Sequence, residues 1–139
     1  MTVTPATGPH GRIEVRVDAR PSMVPYLRTM AAEVAARADF DLDAISDLRM
    51  AVDEVCATLL DHAVEGSELR CGFSVDQDRI QVRATVPARR RGAVFDTTGF
   101  GWRVLCTLVD EIVTQPAEPT RADGPPVLGI RFVKKALVG

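Results

Sequence analysis

Residues 47–63 read Asp47-Leu48-Arg49-Met50-Ala51-Val52-Asp53-Glu54-Val55-Cys56-Ala57-Thr58-Leu59-Leu60-Asp61-His62-Ala63. Leu48, Val52, Val55, Cys56 and Leu59, with Ile45 ahead of them, recur three and four residues apart, the spacing of one face of an α-helix. Asp41 before Leu42 offers the side-chain oxygen that suits a helix N-cap, and Gly66 marks the stop. At about 100° per residue, Asp47, Ala51, Glu54 and Thr58 fall together, opposite the Val52, Val55 and Leu59 stripe. One face is expected to pack and the other to be available for binding.

Upstream, Arg12 to Asp18 alternates polar and apolar side chains, which predicts a half-buried strand with Ile13, Val15 and Val17 on one face. The run from Ser22 to Ala38 is rich in helix formers, and Pro25 suits a first helical turn. Residues 1–11 hold two prolines, two glycines and three threonines, too little apolar content to pack, so a frayed tail is expected there and the domain is expected over residues 12–139.

Downstream, Glu68 to Val75 and Arg79 to Val86 read as a β-hairpin across Asp76-Gln77-Asp78. Pro87 to Thr98 reads as a loop, long enough to suspect function. Gly101 to Val113 predicts a third helix, with Val104, Leu105, Leu108, Val109 and Ile112 in one stripe. Four prolines and a glycine between Gln115 and Pro126 argue against regular structure, and Val127 to Val133 resumes as a strand. Strand, two helices, hairpin, loop, helix and closing strand make an α+β fold. The layers expected are a mostly antiparallel sheet with helices on one face, a two-layer α/β sandwich.

A chain of 139 residues, 46% of them hydrophobic, suffices for one domain with a real core. Its 17 basic and 19 acidic side chains leave a formal charge of −2, which argues against direct nucleic-acid binding. The basic run Arg89, Arg90 and Arg91 has no interleaved aromatics and reads as a solvated loop. Cys56, Cys71 and Cys106 are odd in number and widely spaced, the pattern of small buried hydrophobes in a reducing compartment. With no apolar leader and no stretch near the roughly 20 apolar residues of a membrane span, the expected location is cytoplasmic, without membrane contact.

Glu54 and Thr58 lie four apart, so a carboxylate and a hydroxyl project side by side, as acid/base chemistry or a metal-bound phosphate requires. A solvated helix face explains the pair equally well. In Thr98-Gly99-Phe100-Gly101-Trp102, a glycine pair opens a helix, where backbone N–H groups can approach a phosphate. A tight loop-to-helix turn is the alternative. His62 has no nearby ligand partner for zinc, and Trp102 reads as a packing anchor.

In this order and separation, Leu48 to Ala63 and Thr98 to Ile112 resemble the anti-sigma regulatory factors of the GHKL superfamily, the histidine-kinase-like ATPases of Bergerat fold, over about residues 12–135. The resemblance implies that Glu54 is a general base and that Gly99 and Gly101 form a nucleotide-binding glycine box. Thr58 stands where the family has an asparagine that holds Mg²⁺ at the ATP phosphates, which makes it the candidate metal and nucleotide ligand. The family's adenine-binding aspartate has no counterpart, because no acidic residue occurs between Arg79 and Phe95. Arg28 matches a partner-binding arginine on the first helix. By resemblance, the chain is a homodimeric anti-sigma factor that sequesters a sigma factor and is released by an anti-sigma-factor antagonist, with binding of Mg-ATP or ADP weak or lost. The alternative is an active serine-protein kinase that phosphorylates its antagonist, and a third reading keeps the fold with a different partner module.

Overall fold

The structure, a computed structural model, describes residues 1–6, 11–119 and 123–136. Among them the order is β1 (Thr2–Ala6), β2 (Arg12–Asp18), α1 (Val24–Arg37), α2 (Leu42–Leu60), β3 (Glu68–Asp76), β4 (Arg79–Pro87), α3 (Phe100–Leu108), β5 (Glu111–Pro119) and β6 (Pro126–Lys135). A 3-10 turn at Pro21–Met23 leads into α1. The strands form one sheet in the spatial order β1-β2-β3-β4-β6-β5, every neighbour antiparallel.

Period-two alternation is complete in β4, where Ile80, Val82, Ala84 and Val86 are buried while Arg79, Gln81, Arg83 and Thr85 turn the other way. Leu69, Cys71 and Phe73 of β3 and Leu128, Ile130 and Phe132 of β6 continue that apolar layer. It meets Leu27 and Ala31 of α1, Leu48, Val52, Val55 and Leu59 of α2, and Leu105 and Leu108 of α3 in one core. Burial of each large aliphatic or aromatic side chain contributes about 1.5–3 kcal/mol. The expected α+β two-layer sandwich is the one observed.

Helix α2 begins where the sequence places it: the Asp41 carboxylate accepts from Ala44 N at 2.7 Å. The helix ends at Leu60, ahead of Gly66, which takes φ +79° in the turn leading to β3. The hairpin turns on Gln77 and Asp78, with Asp76 opposite Arg79.

Three expectations are corrected. The third helix ends at Leu108 rather than Val113, and Glu111 to Pro119 is a strand paired with β6, Ile112 opposite Phe132. The stripe through Ile112 fits both periods locally, and the free edge of β6 decides in favour of the strand because its backbone groups need partners. The segment after Gln115 is consequently regular as far as Pro119. Pro116 and Pro119 are tolerated because β5 is an edge strand, where a missing N–H breaks no ladder. A bulge between Gln115 and Glu118 frees Ala117, whose N–H donates to Ala93 O at 3.0 Å and whose carbonyl accepts from Gly92 N at 2.7 Å. That pairing ties down the loop after β4. Finally, Thr2–Ala6 of the supposed tail forms an edge strand on β2, with Val3 opposite Val15; residues 7–10 lie outside the described ones.

Cys56 and Cys71 are buried as expected, whereas Cys106 on α3 is exposed. Burial, with a smaller contribution from Asp53, pushes the Cys56 thiol up to about 12, and burial also raises Cys71 well above its ordinary value. Both stay protonated and unreactive near neutrality. A chromogenic disulfide reagent is therefore expected to label one thiol, Cys106, in the native protein and all three after denaturation. Rapid native labelling of more than one would contradict this core.

Candidate functional site

Helix α2 lies between α1 and α3 and presents different residues to each. Successive residues are about 100° apart, so Asp53 and Glu54 point to different sides. Asp53 Oδ2 accepts from Arg28 Nη1 of α1 at 2.9 Å. Glu54 faces α3: a Cβ added at Gly101 would overlap Glu54 Oε1 and lie 3.1 Å from its Cδ. Gly101 is thus the residue that lets the first turn of α3 close on the carboxylate.

The glycines act differently from the turn reading. Neither takes a positive φ; Gly99 is the α3 N-cap in an extended conformation, φ −76° and ψ 166°. The turn is organised by Asp96, which accepts from Thr98 N at 2.9 Å and from the Thr98 hydroxyl. Those bonds, the side-chain one foremost, hold the exposed Asp96 carboxyl below its usual range. The sequence reading did not single out Asp96, although an aspartate two residues before a threonine is a recognisable Asx-turn signal.

One turn beyond Glu54, the Thr58 hydroxyl donates to Glu54 O at 2.8 Å. Its proton is committed to the helix backbone, as is common for threonine inside helices. The hydroxyl oxygen is also shorter in reach than the carboxamide that the resemblance expects at this position, whereas Mg²⁺ demands near-ideal octahedral oxygen ligation. Among the described residues, no group of three or more His, Cys, Asp or Glu side chains is close enough to hold a metal ion. This donor set does not fit a magnesium site built from side chains.

The face of α2 expected to be free for binding is largely occupied. Ala51 is fully buried, and Asp47 Oδ2 accepts from Lys134 Nζ at 3.1 Å. Lys134, only 14% exposed, also donates to Leu108 O at 2.9 Å, so one ammonium joins β6, α2 and the C-terminal end of α3. This tie sets α3 against α2, and with it Gly101 against Glu54. A lysine near a chain terminus carries no local signal for such a role.

Beyond Thr58, a cleft of about 570 Å³ opens at the end of α2, lined by Asp61, His62, Arg89, Arg90, Ala93 and Val94. Arg89 is not simply solvated: its guanidinium donates to Asp61 O at the end of α2. Phe95 anchors the loop in the core and meets the His62 ring edge-on at 5.9 Å.

Gly101→Ala tests the contact with Glu54. Alanine favours a helix over glycine by about 1 kcal/mol, so in a Glu54→Ala background the substitution is expected to stabilise by about that amount. In the parent, overlap with the carboxylate should cancel the gain. Urea unfolding of the four proteins is expected to give a coupling of about 1 kcal/mol, and additive effects would separate the two residues.

A sheet covered by helices on one face, with a glutamate helix closed against a glycine-opened helix, defines an ATPase-type α+β domain. The chain belongs to the histidine kinase-like ATPase domain family, which matches residues 17–122. It is 34% identical over 102 residues to the anti-sigma-F factor RsbW of Mycobacterium tuberculosis (strain ATCC 25618 / H37Rv), covering 73% of this chain and 60% of that protein. It is 36% identical over 73 residues to the serine-protein kinase RsbW of Bacillus subtilis (strain 168), covering 50% and 46%. With the enzyme of the same name from Halalkalibacterium halodurans it shares 32% over 89 residues, covering 63% and 52%. The chain therefore spans about half to 60% of the length of these relatives. They bear out the resemblance to anti-sigma regulators of the kinase type.

Proposed function

We propose that the chain is an anti-sigma factor that sequesters a sigma factor, is released by an antagonist protein, and binds ATP weakly or not at all. The observation that supports weak nucleotide binding is Thr58 itself, a short hydroxyl donating to Glu54 O where the resemblance expects the longer asparagine ligand of the metal. Phosphoryl transfer rests on positioning and on metal charge, so a site without that ligand is better suited to binding than to catalysis. The sequestration itself is supported by the likeness to the mycobacterial relative, which is named an anti-sigma-F factor. Arg28 and Asp53 lie on the α1 side of α2, apart from the Glu54–Gly101 contact, so a partner gripped there needs no nucleotide.

The alternative, a serine-protein kinase acting on its antagonist, draws support from Glu54, which remains packed on the glycine turn. Calorimetric titration with Mg-ATP and Mg-ADP separates the two. No heat is expected from the parent chain, with heat appearing for Thr58→Asn; tight binding by the parent favours the kinase. Affinity capture from the native host is expected to recover a sigma factor, and capture of other partners alone would sink the anti-sigma reading. The assembly is read as a homodimer working in the cytoplasm, and sedimentation tests the first of these. No helix among the described residues is long and apolar enough to cross a membrane.

A further inference from the structure

The sheet face turned away from the helices carries arginines in register. Arg16 of β2 stands opposite Arg70 of β3, and Arg83 of β4 opposite Arg131 of β6. Like charges directly opposite on antiparallel strands are destabilising, so this array works against the sheet that displays it. Features that oppose the fold are expected at functional surfaces.

Of these four arginines, among the described residues, only Arg16 has a carboxylate partner, Glu14 Oε1 at 3.1 Å. Arg83 Nη2 donates instead to Gln115 Oε1 at 3.0 Å, and Arg131 Nη1 to Gln81 Oε1 at 3.2 Å. A carboxamide orients a guanidinium without neutralising it. Gly72, between Glu14 and Arg83 in the register, removes a side chain from the middle of the face. A groove of about 830 Å³ runs there, with Arg12, Arg70 and Arg83 on its walls beside Glu68 and Glu14, the latter held by Arg16.

Forked guanidiniums held open in this way match carboxylates, which they bind through two parallel hydrogen bonds. A single-stranded nucleic acid would call for aromatic stacking platforms, and the one aromatic residue lining the groove, Phe73, is 1% exposed with its ring in the core.

We propose that this sheet face is a second protein-binding surface, which takes an acidic segment of a partner protein with its carboxylates on Arg70, Arg83 and Arg131. It lies on the opposite side of the sheet from α1 and α2 and is independent of what those helices grip.

Fluorescence anisotropy with a labelled polyglutamate peptide reads the surface directly. The chain is expected to bind the peptide, and the double variant Arg83→Gln/Arg131→Gln to weaken binding by about tenfold for each arginine. Arg37→Gln, at the end of α1 in an exposed pair with Glu33, should leave it unchanged. Removing two opposed like charges preserves the sheet, which far-UV circular dichroism checks. No binding by the parent, equal weakening by Arg37→Gln, or tighter binding of a DNA duplex would overturn the proposal. So would a dimer that the double variant dissociates in sedimentation, because a second copy would then occupy the face.

Discussion

Leu105→Ala is expected to destabilise the protein by about 2–5 kcal/mol, the range for truncating a buried leucine. Helix α3 has nine residues, and only Leu105 and Leu108 of its side chains are buried, Leu105 at 1% exposure. A helix this short has little stability of its own and depends on tertiary packing. Losing Leu105 therefore loosens the whole element that carries Gly101, rather than leaving a local cavity. Urea unfolding should show the loss, and native-state hydrogen exchange should show α3 amides opening well before those of β3 and β4. If α3 remains as protected as the sheet, then Lys134, which ties its last turn to Asp47, holds it without Leu105.

The second large effect is on binding. Arg28→Glu is expected to weaken the complex with the recovered sigma factor by at least about a hundredfold, the scale for reversing a charge paired at an interface. Calorimetry or biolayer interferometry reads it directly. The side chains of Arg28 and Asp53 are 34% and 43% exposed, and exposed pairs contribute about 0–1 kcal/mol to stability. Arg28→Ala should thus fold normally and lose affinity, which separates a role in binding from a role in tying α1 to α2. Unchanged affinity in both variants would leave Arg28 as a helix tie only.

The parts of the fold legible in the sequence are those whose determinants are local. The three-and-four spacing from Ile45 to Leu59 and the Asp41 cap specify α2, and strict alternation specifies β4. Elements whose determinants are distant are not legible in the sequence. Ile112 suits a helix stripe and a strand equally, and the choice was made by the unpaired edge of β6. Pro116 looks like a breaker until the bulge beside it is seen to bond Ala117 to the loop at Gly92 and Ala93. Cys106 resembles the other two cysteines in its apolar neighbours, but its helix presents it to solvent.

The candidate site divides in the same way. The residue types of Glu54, Thr58, Gly99 and Gly101 and their spacing are properties of the chain, and helical periodicity alone places Glu54 and Thr58 on successive turns. Contact between Glu54 and Gly101 is not, because the two are brought together only when α3 packs across α2. Tertiary structure likewise decided that Asp53 meets Arg28, that Lys134 joins three elements, and that four arginines on separate strands share one face. The sequence by itself determined the helical and strand periods and the chemistry of each side chain. Which side chains meet was decided by packing, since contacts between residues far apart in the chain exist only once the layers have closed on one core.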